Sequence, residues 1–416
     1  MIEKLFPLNR SITGNGVRET LSILLETIPL KINEVPSGTK VLDWEVPKEW
    51  NISDAWVKNS KGEKVIDFKN SNLHVLNYSV PVHKKVTIDE LKDHLYTLPD
   101  FPDWIPYRTS YYNENWGFCL THNELKKLDD TEYEIFIDSS LKKGSLTYGE
   151  YYIKGALEDE ILISTHICHP SLANDNLSGI AVATNLAEQL SKMQLRYSYR
   201  FLFIPVTIGS ITWLSLNEDK VKNIKYGLVL TLLGDENKFN YKKSRIGDSQ
   251  IDKIVENHFR DSKIGYEILD FAPYGYDERQ YCSPGFNLPV GRLSRSIHGE
   301  FPEYHTSADN LNFVKPDKLF ESINSIMSII NIIEANKKYL NTKPKGEPQL
   351  GKLGLFKKVG GQSDAKEYQM ALLWMLNMSD GNNSIVDISI QSGLKFNVLE
   401  NAATALNKVK LLQEIV

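Results

Sequence analysis

A chain of 416 residues, 41% of them hydrophobic and 24% charged, holds enough apolar material for more than one core, so two or three domains are expected. Its net charge of −5 offers no basic field to nucleic acid or to an anionic membrane. Three cysteines, Cys119, Cys168 and Cys282, are too few and too widely spaced for a disulfide framework or a thiolate zinc site.

The opening residues do not read as a signal peptide, and no apolar run approaches the ~20 residues of a membrane span, so a cytoplasmic protein is expected. From Gly16 to Ile28 the apolar positions Val17, Leu21, Leu24, Leu25 and Ile28 form a helical stripe that Pro29 ends. Between residues 37 and 125 the texture changes to short β-like runs such as Lys64–Phe68, with five tryptophans at Trp44, Trp50, Trp56, Trp104 and Trp116. This reads as an inserted β-rich domain whose tryptophans serve as core in preference to a sugar-binding face.

From residue 126 strands and helices alternate, the pattern of an α/β sheet. Strands are expected at Glu132–Ile137, Gly149–Lys154, Asp159–Ser164, Tyr199–Val206, Tyr226–Leu233 and Leu288–Leu293, and helices at Leu177–Met193, Ser249–Asp261 and Pro316–Lys338. Phe201–Ile204 and Leu228–Leu233 lack period-2 alternation, as strands buried on both faces do. Beyond the Pro- and Gly-containing stretch at 343–348, helices are expected at Lys366–Asn377, Ser384–Ser392 and Lys395–Lys408, the last two joined by a turn at Gly393, together with a small hairpin. The domains expected are therefore 1–36 with 126–343, 37–125, and 345–416.

His166 follows an apolar strand and Asp175 stands at the entrance of the next helix, a pairing suited to one divalent ion. A third ligand is expected from Asp235, after another buried strand, or from His305 in the segment Tyr304–Asn310. His169, before a proline, shapes a loop as readily as it binds an ion. The remaining histidines lack such a setting and are not expected as ligands.

The run from His166 through Ala173–Gly179, with Asp235 and Tyr304–Asn310, resembles the co-catalytic zinc aminopeptidases. Over nearly its full length the chain is similar to a family of uncharacterised proteins with an aminopeptidase-like domain. Phe203–Ser210 and Asp277–Gly285 are its other specific segments. That resemblance implies a zinc-exopeptidase-like α/β/α sandwich with a small inserted β domain and a C-terminal winged helix, in a family often found beside polysaccharide biosynthesis functions. It implies further that Asp175 bridges two zinc ions, that Asp235 and His305 hold one of them and His166 the other, and that the Asp175–Asn176 bond is cis.

One departure bears on activity. At the strand end where such enzymes carry two adjacent glutamates, one a base and one a ligand, this chain has Val206 and Thr207, neither of which takes up a proton. Cys168 replaces the aspartate that orients the histidine. One zinc ion is therefore expected in preference to two. Glu303 is the preferred substitute base, and Glu278, Arg279, Arg295 and Tyr304 are expected to contact substrate. Two readings follow: amide hydrolysis on a peptide-like or amino-sugar substrate, or a scaffold that has lost hydrolysis and binds a metabolite or partner protein.

The C-terminal segment sets Asp364, Glu367, Asp380, Asp387, Glu400 and Glu414 against Lys366, Lys395, Lys408 and Lys410, and the last arginine is Arg295. A protein partner or domain packing, and not DNA, is expected there. A homo-oligomer is compatible with all of this.

Overall fold

Two runs of the α/β region, Glu160–His166 and Ser198–Ile204, are buried at every residue and pair in parallel, which explains why neither alternates polar with apolar positions. The computed structural model describes residues 1–355 and 362–415, in two units: 1–246 with 269–323, and 247–268 with 324–416.

In the first unit the strands of the two larger sheets are β1 (Lys31–Pro36), β2 (Glu49–Lys58), β3 (Lys64–Asp67), β4 (Val82–Thr87), β5 (Glu132–Lys142), β6 (Ser145–Ile153), β7 (Glu160–His166), β8 (Ser198–Ile204), β9 (Ile224–Leu230), β10 (Phe239–Lys242) and β11 (Val290–Ser294). The large sheet runs β1-β6-β8-β7-β9-β11-β10 within this unit. Strands β8, β7, β9 and β11 are mutually parallel, and β1, β6 and β10 are antiparallel to their neighbours. The chain leaves β7 to form β8 on one side and then crosses to form β9 on the other. The carboxyl end of β7 is thus a topological switch point, where a crevice opens above the sheet. His166 is the last residue of β7.

Helix α1 (Asn15–Leu24) buries Val17, Leu21 and Leu24, the stripe visible in the sequence. Helix α2 (Gly179–Leu190) is entered through a wide irregular turn, Ala173–Ser178, in which Asp175 (φ −107°, ψ 79°) and Asn176 leave helical geometry. A Cβ on Gly179 would lie 2.4 Å from Asn176 Oδ1, so only glycine lets the helix start against that side chain. Helix α3 (Ile208–Leu216) was not expected; it is buried through Leu214 and apolar on all sides, so no helical period marks it.

The segment starting at Glu132 departs from expectation. It extends to Lys142 as β5 and pairs with β2 and β4 in a separate antiparallel sheet of order β3-β2-β5-β4, not in the large sheet. Tyr133, Ile135 and Ile137 are buried and alternate with more exposed residues, the mark of a strand covered on one face. That face packs with Val57, Ile66, Val86, Phe118 and Leu120. Among the tryptophans, Trp50 is buried with its indole N–H on the Ser79 carbonyl (2.8 Å), Trp56 stacks on Phe136, and Trp44 remains exposed.

The second unit contains α4 (Gln250–Ser262), α5 (Gln362–Met378), α6 (Ile385–Ser392) and α7 (Phe396–Lys408), with a small sheet of β12 (Lys338–Asn341), β13 (Asp380–Ser384) and β14 (Leu412–Ile415) in the order β13-β12-β14. Gly393, at φ 71°, ends α6 as expected, and three strands stand where a hairpin was expected. No helix among the described residues is long and apolar enough to cross a membrane.

Candidate metal centre

Four side chains meet above the end of β7. His166 Nε2 lies 2.9 Å from Asp175 Oδ1, and His305 Nε2 lies 3.1 Å from Asp175 Oδ2. His169 Nδ1 is 4.0 Å from Asp175 Oδ1, and the ligand atoms of His166, His169 and Asp175 all fall within 4.8 Å of one another. His166 and Asp175 are inaccessible to solvent, whereas the His305 side chain keeps about a third of its surface (32%), so the centre is reached from the His305 side.

Backbone geometry delivers these groups. The Asp175–Asn176 bond is cis. Asn176 Nδ2 holds the end of β7 through Thr165 Oγ1 (2.8 Å) and the His166 carbonyl (3.0 Å). Asp309 accepts the backbone N–H groups of Asn174 (2.5 Å) and Asp175 (2.8 Å), while burial pushes its own carboxyl up to about 8. Ser171, Thr207, Leu232 and His305 all have left-handed φ (43°, 65°, 52° and 54°). Such residues cost on the order of 1–3 kcal/mol each and gather where a site over-determines its backbone.

The cluster suits a divalent metal by its own chemistry. His166 Nδ1 and His169 Nδ1 are buried without a hydrogen-bond partner, and His305 Nε2 and Asp175 Oδ2 are buried with no partner beyond each other. Burial opposes charge on Asp175, but His169, His166 and His305 hold its carboxyl well below the usual range. Burial likewise drives His169 well below the ordinary histidine value, which keeps an imidazole nitrogen free to bind metal. Three imidazoles and one carboxylate form a donor set that zinc accepts.

The other singled-out residues are placed as follows. Asp235 is buried and accepts Asn174 Nδ2 (2.7 Å) and the Asn237 N–H (2.9 Å); its carboxylate braces the turn that carries Asp175. Tyr304 stacks on His305, centroids 3.9 Å apart. Glu303 is partly exposed, and its carboxylate makes no hydrogen bond or ion pair among the described residues. Arg279 Nη2 reaches Thr207 Oγ1 (3.2 Å), and Glu278 is buried 2.6 Å from Lys242 Nζ. Arg295 is spent on structure: its nitrogens go to Ser322 Oγ (3.0 Å), the Asn237 carbonyl (2.9 Å) and Glu321. Cys168 accepts the Val206 N–H (3.3 Å) and so orients the neighbouring strand end; burial raises its thiol to about 12.

His169, left open in the sequence between loop and ligand, joins the cluster, and two further contributors were not expected. Tyr276 stacks on His166 (4.8 Å, 19°) and donates to Asp175 Oδ1 (3.1 Å). Asp277 accepts the Thr207 N–H (2.7 Å) and Ser210 Oγ (2.8 Å) on Oδ1, leaving Oδ2 buried and unpartnered. The segment Asp277–Gly285 is specific in the sequence, but nothing there gives Asp277 a role.

A family model described as a domain of unknown function (DUF4910) matches residues 1–336. This chain belongs to that family. A winged helix-turn-helix model matches residues 337–414. Among family relatives, a Clostridium acetobutylicum protein, provisionally named for polysaccharide biosynthesis with an aminopeptidase-like domain, is 59% identical over 99% of this chain and 95% of its own. A crystal structure of a provisionally assigned peptidase from Clostridium acetobutylicum superposes with a TM-score of 0.93 at 58% identity, covering 100% of this chain and 95% of that one. The zinc aminopeptidase BSAP of Bacillus subtilis (TM-score 0.56, 11% identity, 80% and 93% covered) and an M28 peptidase precursor of Shewanella amazonensis (0.58, 12%, 80% and 92%) share the fold. The chain therefore has the zinc-aminopeptidase fold and carries a C-terminal winged-helix domain.

Proposed function

We propose that this chain is a zinc-dependent amide hydrolase. The observation that carries the reading is the convergence of imidazole nitrogens of His166, His169 and His305 on the buried carboxylate of Asp175. These four residues would hold one zinc ion, which supplies Lewis acidity toward a substrate carbonyl. Tyr276 orients Asp175 through its hydroxyl, and Tyr304 packs His305 in place.

Val206 and Thr207 leave the strand end without a carboxylate of its own, and Asp277 brings one there from another segment. Two donors fix Asp277 Oδ1, and burial raises its carboxyl to about 6, so Oδ2 is suited to take a proton from the attacking water near neutral pH. No hydrogen bond or ion pair among the described residues orients the Glu303 carboxylate, which favours Asp277 as the base. The amide would sit on an amino sugar or a peptide-like chain, a reading supported by the relative's name, which pairs polysaccharide biosynthesis with an aminopeptidase-like domain. The winged helix, lacking arginine, serves protein contact in this reading.

The test is an assay of the zinc-loaded full chain against amino-acid amides and N-acetylated amino sugars. Turnover that disappears in Asp175→Asn supports hydrolysis. Bound zinc without turnover on either class would favour the second reading, a ligand-holding scaffold, to which the Val206–Thr207 strand end points.

A further inference from the structure

Lys242 on β10 and Arg292 on β11 are direct partners across the sheet, and both are buried (3% and 1% exposed). Like charges facing each other across strands repel, and burial removes the water that would screen them. Lys242 is fully answered: its Nζ meets Glu278 at 2.6 Å and the carbonyls of Ala272 (2.9 Å) and Tyr274 (2.8 Å).

Arg292 is not answered. Its Nη1 donates to His298 Nδ1 (2.8 Å), its Nε and Nη2 are buried without a partner, and no carboxylate among the described residues forms an ion pair with it. A guanidinium cannot shed its charge by deprotonation. Because His298 Nδ1 accepts from Arg292, the neutral ring carries its proton on Nε2, and that nitrogen is also buried without a partner. Burial and the Arg292 charge lower His298 to about 4, consistent with a neutral ring. The result is three donor nitrogens, Arg292 Nε and Nη2 and His298 Nε2, around a guanidinium that no carboxylate among the described residues pairs directly, although the Glu278 carboxylate acts on His298 from a distance.

We propose that Arg292 and His298 form an anion-binding subsite beside the metal centre, which receives a carboxylate or phosphate carried by the substrate. Guanidinium forks bind such groups through paired charge-assisted hydrogen bonds. The subsite adjoins the proposed chemistry through one residue: the Tyr276 ring lies 5.4 Å from the His298 ring, and its hydroxyl is on Asp175. Tyr274, 71% exposed and 5.0 Å from His298, marks the side open to solvent. A substrate would place its amide at the histidine cluster and its anionic group on Arg292. This deepens the amide-hydrolase reading and rests on it for its purpose, but the anion site is testable without metal.

The experiment is calorimetric titration of the full chain with inorganic phosphate and, separately, with acetate, once after chelation and once with zinc restored. At least one anion is expected to bind the chelated protein, Arg292→Gln to abolish that binding, and Arg292→Lys and His298→Phe to weaken it by about tenfold or more. Whichever of the two anions binds more tightly identifies the substituent. If Arg292→Gln does not fold, His298→Phe decides the question. No binding to the wild-type protein, or binding that needs zinc and survives Arg292→Gln, would overturn the subsite. Failure of zinc to load would instead count against the hydrolase reading, and the chelated titrations would still decide the subsite.

Discussion

The Tyr276 hydroxyl donates to Asp175 Oδ1 at 3.1 Å from a segment a hundred residues further along the chain. The same ring covers His166, so one side chain positions two of the proposed ligands. Groups that hold a ligand in place are typically worth 10–100-fold in metal affinity. Tyr276→Phe keeps the ring and removes the hydroxyl, and should weaken zinc binding by roughly tenfold or more, read by competition with a chromophoric chelator.

Asp277 gives the second prediction. Asp277→Asn should lower kcat on any amide substrate by about 10²–10³-fold while zinc content stays unchanged, and Glu303→Gln should leave kcat near wild type. Val206→Glu in the Asp277→Asn background should return part of the loss, because it restores a carboxylate at the strand end. Unchanged kcat in Asp277→Asn would remove Asp277 from the mechanism.

Arg200 on β8 is buried between Glu150 on β6 and Glu160 on β7 and pairs with both. Replacing it with methionine strands two carboxylates inside the sheet, which should cost about 3–5 kcal/mol in urea unfolding. A loss under about 1 kcal/mol would mean that water or relaxation rescues the glutamates.

His258 in α4 is buried against Ser325 (2.8 Å), and burial lowers it to about 4. The unfolded chain takes up that proton near pH 6.5, so the folded state loses stability as pH falls from 6.5 toward 4 and loses no more from this group below that. The loss between pH 7 and pH 5 should be about 2 kcal/mol, and His258→Gln should abolish that share of the pH dependence. Unfolding midpoints of the two proteins at both pH values provide the check.

Much of the fold is legible because burial writes itself into composition. The continuous apolar runs of β7 and β8 mark central strands, and the stripe of α1 marks a covered helix. Helix α3 escapes because a helix buried on all sides has no period to detect. Strand β5 is visible as a strand, but its partners lie far away in sequence, and only pairing decides which sheet it joins. At the site, His166 and Asp175 are readable because they flank one strand–helix junction. Asp235 shows the limit: the sequence places a carboxylate after a buried strand, but not that it accepts the Asn174 amide beside Asp175. Tyr276 and Asp277 reach the site through tertiary packing alone.

Metal content tests the central claim most directly. Full-length protein, loaded with zinc and passed through a desalting column, should retain about one zinc ion per chain, and Asp175→Ala and His305→Ala should each lose most of it. Less than about half an equivalent in the wild-type protein, or zinc retained undiminished in Asp175→Ala, would contradict the account.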